Sequence, residues 1–138
     1  GRWNTRITGG DVTSYDGLVV VQVPVPMPRT VTVLTGWEDR ILALARQAGG
    51  GPLVGVASTS KNRAYNLTSR VIIPSGCMIL SPSRLRSTWL VAHLAAGTRL
   101  PELATAAGLS GVTTLSDLLE HVPGLPDGAA RSELRGLR

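Results

Sequence analysis

The side chains here that suit phosphate chemistry are arginines, Arg86 among them. It follows Leu85 in the run Pro82-Ser83-Arg84-Leu85-Arg86-Ser87-Thr88-Trp89, and a guanidinium can grip a phosphate with its planar fork. The ordinary alternative for Arg86 is a salt bridge or a contact with a helix carbonyl. Transfer of a phosphoryl group needs a set of such donors around the charged oxygens, plus a nucleophile in line with the leaving oxygen. The remaining reactive residues are few: Lys61, Tyr15, Tyr65, His93, His121 and Cys77. A lone cysteine excludes an internal disulfide, and two histidines without a second cysteine make a zinc site improbable. Neither a metal nor a cofactor is expected, and Cys77 reads as a small buried hydrophobe.

The charge around Arg86 is one-sided. No Asp or Glu falls between Asp39 and Glu102, whereas Arg40, Arg46, Lys61, Arg63, Arg70, Arg84, Arg86 and Arg99 all do. A surface of that kind attracts polyanions, because each cation that neutralises a phosphate releases condensed counterions. Double-stranded DNA is the natural partner, with Arg2, Lys61, Arg63, Arg70, Arg84 and Arg86 as the contact candidates. The bland alternative is a solvated basic face.

A small α+β domain must hold these residues. The 138 residues, 43% apolar and 17% charged with a net charge of +5, suit one globular unit, 1–138, with a core of its own. Residues 18–23 and 29–34 are rich in β-branched types and predict a hairpin, whose prolines Pro24, Pro26 and Pro28 end the pairing in a stiff, exposed tip. Thr35-Gly36-Trp37-Glu38 reads as a capping box for a helix that Gly49-Gly50-Gly51 stops. Residues 52–56 suggest a short strand, 58–63 a polar cationic loop, and the stretch through Arg70 a weaker helix. Ser81 and Pro82 start a helix that stops at Gly97, Pro101 opens one that ends at Gly108, and Thr114 with Asp117 signals a last short helix before Pro123. Residues 124–138 read as a polar, mobile tail. Strands early and helices late favour a mainly helical α+β fold with a small antiparallel sheet near the N-terminus. No apolar run reaches the length of a membrane span and no signal peptide is visible, so the expectation is a cytoplasmic protein. The start at Gly1 without a Met suggests a fragment of a longer chain.

The run 82–89 resembles a motif of the tyrosine recombinases (phage integrases), which reads His, any residue, Leu, Arg, His, Thr and an aromatic. Gly108-Leu109-Ser110-Gly111-Val112-Thr113-Thr114 is similar to that family's Gly-His-Ser-Ser-Ile-x-Thr segment. Ala92-His93-Leu94 and Gly97 fall where its helix and turn do. Arg2-Trp3 followed by Gly10-Asp11-Val12 resembles the region of its first catalytic arginine, with Arg6 as a substitute, and Arg29-Thr30-Val31-Thr32-Val33 its third strand.

The resemblance implies the fold of the family's catalytic domain, in which two arginines and a lysine hold the scissile phosphate, histidines assist proton transfer and a tyrosine attacks phosphorus. In this chain the relic positions are Arg2, Ser83, Arg86, Leu109 and Leu119. Ser83 and Leu109 stand for the two histidines, and Leu118 or Leu119 for the tyrosine. Gln22, Met27 and Arg29 are what the hairpin offers in place of the lysine, while Lys61 lies in another segment. A leucine cannot attack a phosphate, and its apolar helical setting implies packing. His93 and His121 likewise fall at positions that suggest helix packing. Three functions compete: a DNA-binding domain that does not cut, working with a recombinase or by self-association; a protein-interaction scaffold; and an active recombinase that borrows a tyrosine from a partner subunit. No small-molecule substrate is expected.

Overall fold

The computed structural model describes residues 7–24, 26–55 and 63–136, with Arg63 and Ala64 as backbone only. Its architecture is α+β: a three-stranded antiparallel sheet and a set of helices. The sheet runs β1 (Val12–Tyr15), β2 (Leu18–Val23) and β3 (Arg29–Thr32), side by side in chain order. The sequence reading contains no β1. Its signal is the dipeptide Asp16-Gly17, whose φ angles of 50° and 76° supply the two-residue turn that matches strand twist. In the second ladder Val21 faces Val31 and Val23 faces Arg29. Side chains alternate between faces with period two, so these four residues share one face.

The helix α1 (Glu38–Ala48) packs on β1 and β2 through Ala45, which is buried with Val12 and Val19 and flanked by Ile41, Leu42 and Leu53. Thr35 does not cap it. The N-cap is Trp37, and the Glu38 carboxylate instead accepts the Gly36 N–H at 2.7 Å. A 3-10 turn over Gly9–Asp11 lies so close to the end of α1 that a Cβ on Gly9 would collide with the Ala45 carbonyl. Next to it the strand expected over 52–56 shrinks to a single bridge, Thr8 to Pro52, supported by Leu53 N–H donating to the Ile7 carbonyl at 2.9 Å. Residues 53–55 bend rather than extend, with Gly55 at a φ of 75°, so no ladder continues from the bridge among the described residues.

Four helices follow: α2 (Arg63–Thr68), α3 (Pro82–Ala95), α4 (Leu100–Ala107) and α5 (Thr113–Ser116). The start of α3 follows its sequence signals: Ser81 Oγ accepts the Arg84 N–H at 3.3 Å with Pro82 in the first helical position. The α5 helix begins one residue before Thr114 with Val112 as N-cap, so Thr114 caps nothing. Leu90, Leu103, Ala107 and Leu115 form a second buried cluster with Trp89, Leu94, Leu109 and Leu118 packed around it. The α4 helix also lies against β3, an edge strand of the sheet. A 3-10 turn spans Leu119–His121, and the segment read as a tail carries α6 (Asp127–Arg135), which buries no residue. Among the described residues no helix is long and apolar enough to cross a membrane.

Candidate functional site

The site forms where the C-terminus of α4 meets β3 and α3. An α-helix leaves its last four carbonyls without intrahelical partners. In α4 two of these are taken by the backbone: Leu109 N–H donates to the Ala104 carbonyl at 2.9 Å and Gly108 N–H to that of Thr105 at 3.1 Å. That pattern requires a left-handed residue after the helix, and Gly108 supplies it at φ 64°, ψ 44°. The other two carbonyls are taken by arginines. Arg29 Nε–H donates to Ala106 at 2.9 Å and Arg86 Nη2–H to Ala107 at 2.8 Å. Of the two alternatives open to Arg86, the helix-carbonyl contact is the one found.

Arg29 and Arg86 are both half-buried and line a pocket of about 450 Å³ between the sheet, α2 and α3. Burial, and after it the like charge of Arg86, hold the Arg29 guanidinium below its usual pKa. Two like charges meet here at the carbonyl end of α4, which favours cations, but without a carboxylate counter-charge. The ion pairs among the described residues are Arg99–Glu102 at 3.5 Å and His121–Glu120 at 3.7 Å, and the other positions carry no Asp or Glu. Neither arginine therefore has a side-chain carboxylate partner. Arg29 uses two of its five N–H donors, the second at 3.0 Å on the Met27 carbonyl, and Arg86 uses one. Two cations with free donors beside a concavity make an anion site.

Among the described residues, the other candidates from the sequence do not line the pocket with this pair. Arg2, Arg6 and Lys61 lie outside the described residues, as does the side chain of Arg63. Arg70 and Arg84 are exposed, and Arg84 donates to the Ile79 carbonyl at 3.1 Å. Ser83 is exposed, 3.1 Å from Ser81 Oγ. Leu109 packs on the second core. Leu119 does not: it is 60% exposed, and the packing expected there is done by Leu118, because the 3-10 turn rotates the neighbouring position outward. Of the three residues offered by the hairpin, Arg29 reaches the site, whereas Gln22 pairs with Thr30 and Met27 contributes its carbonyl.

His93 has the packing role expected of it. Its Nδ1 lies 2.9 Å from Thr98 Oγ1 and its ring meets Trp89 edge-on at 4.5 Å, with Nε2 buried and unpartnered. His121 does not pack; it is exposed beside Glu120. Tyr15 and Tyr65 are exposed too. Cys77 is exposed, contrary to expectation, because Pro74 and the positive φ of Gly76 place it in a surface turn closed by its N–H on the Pro74 carbonyl at 3.1 Å. Among the described residues no group of His, Cys, Asp and Glu is arranged to hold a metal. No family model matches the chain, and no match to a curated protein is found.

Proposed function

We propose that this domain binds the phosphate backbone of double-stranded DNA without cutting it, as a relative of the tyrosine recombinase catalytic domain that has lost its nucleophile. The observation that carries this reading is the pair Arg29 and Arg86, two half-buried guanidiniums with unused donors and no side-chain carboxylate partner. Phosphates supply the missing negative charge and accept bidentate hydrogen bonds from guanidinium forks. The exposed Arg70 and Arg84, within the interval that lacks any acid, extend the same field outward. The absence of a tyrosine around Leu118 and Leu119 removes the covalent step that strand cleavage requires.

Binding to a mixed-sequence duplex across a salt series tests this, with Arg86→Ala and a Lys61/Arg63→Ala double variant beside the parent. Affinity should fall steeply with salt, and each lost phosphate contact should reduce the log–log slope by about 0.9. No covalent protein–DNA adduct should form. Absence of binding at low salt sinks the proposal. The hydrogen bonds to Ala106 and Ala107 favour one competing reading, a scaffold in which the arginines only cap α4. On that reading Arg86→Ala lowers thermal stability and leaves DNA affinity unchanged.

A further inference from the structure

The same two arginines stand at the wall of a pocket whose other walls are apolar apart from Thr68, and a DNA phosphate alone leaves that space unused. Val23 and Val31 come from the sheet face shared with Arg29, Leu67 from α2, and Leu85, Trp89 and Arg86 from α3. A concavity of about 450 Å³ lies within the usual range for small-molecule sites, which combine apolar walls with a few converging polar groups. Here those polar groups are cationic. We infer that this pocket binds a small carboxylate carrying a hydrocarbon body, its head group on Arg29 and Arg86 and its chain along the valines, Leu85 and Trp89.

The chemistry of each part selects this ligand. The walls accept only groups that gain by leaving water. Among the described residues, seven N–H donors of the two guanidiniums have no acceptor, and a planar carboxylate accepts two parallel bonds from such a fork. A neutral ligand brings the two like charges no counter-charge beyond the helix carbonyls, and a cationic one adds a third. A free phosphate gains from the arginines but nothing from the walls. Burial of Arg29 strengthens its attraction to an anion, because fewer waters screen the charge. The sequence by itself predicted no small-molecule ligand, and the inference does not depend on the DNA reading.

Trp89 lines the pocket and serves as the reporter once Trp3 and Trp37 are changed to Phe. Decanoate, decanol, decylammonium and inorganic phosphate are titrated against this protein without DNA while Trp89 fluorescence is followed. Decanoate should produce a saturable change at concentrations about ten- to a hundredfold lower than decanol, the range expected for one or two charge-assisted hydrogen bonds. Decylammonium and phosphate should be weaker still. Arg29→Gln and Arg86→Gln should each weaken decanoate about tenfold or more. Leu85→Tyr, at a half-exposed position that leaves both arginines in place and adds no second indole, should block it. The series on the unchanged pocket decides the matter even where an arginine variant unfolds. Equal binding of the three decyl compounds, no binding of decanoate, or undiminished binding to Leu85→Tyr overturns the inference. Tight phosphate binding with weak decanoate also overturns it while leaving the DNA proposal standing, and the DNA salt series fails or succeeds separately.

Discussion

Replacing Gly108 by alanine probes the junction that holds the site together. Gly108 has a φ of 64°, where a Cβ costs about 1–2 kcal/mol. A Cβ there also lies 3.1 Å from both Cζ and Nη1 of Arg29, so the guanidinium must shift and weaken its hydrogen bond to Ala106. Bonds with a charged donor contribute about 1.5–3 kcal/mol, and partial exposure of Arg29 favours the lower end, so the contact adds roughly 1–1.5 kcal/mol. The total is about 2–3.5 kcal/mol. Gly97 is the internal control: it ends α3 with a φ of 74° but a Cβ there meets nothing within 4 Å, so Gly97→Ala carries only the backbone cost, about 1–2 kcal/mol. Thermal unfolding should place the Tm of Gly108→Ala about 3–7 °C below that of Gly97→Ala. In an Arg29→Ala background the difference should vanish. Equal Tm values, or an excess that persists without Arg29, refute the assignment of Arg29 to the cap of α4.

Leu103, 1% exposed at the centre of the second core, should lose about 2–5 kcal/mol on change to alanine, read as a lower urea midpoint at unchanged slope. Gly9→Ala should fail to give a folded domain by circular dichroism, because the clash is with the backbone of α1 at Ala45 and Gly49 and no side chain can move aside. For Arg29 the pKa shift fixes the sign of a pH experiment. A cation whose pKa is lowered by folding destabilises by a constant amount at every pH below that folded value, and relief comes only as pH rises through it. Guanidiniums stay charged across the working range, so the stability difference between Arg29→Gln and the parent should be flat from pH 6 to pH 9. A slope in that interval, measured by urea unfolding, means that another group titrates with it.

The punctuation of this fold was legible in the sequence. Ser81 and Pro82 start α3, Gly97 and Gly108 stop α3 and α4, and the β-branched run from Leu18 makes a strand. Caps, left-handed stops and β-branched runs act within a few residues, so the local chain suffices to state them. Arg86 was singled out by the motif-like run 82–89 around it, since the acid-free interval 40–101 holds seven other cations as well. Other features required the assembled molecule. Thr35 lost its capping role once Glu38 reached Gly36, and Cys77 turned outward with the Pro74–Gly76 turn. Arg29, one of three residues the hairpin offered, joined the site because α4 docks on β3 and brings the Ala106 carbonyl to it across 77 positions of sequence. Spacing along the chain carries no record of such an encounter, since it depends on how a helix end and an edge strand pack together. The pocket beside the two arginines arises from that same packing.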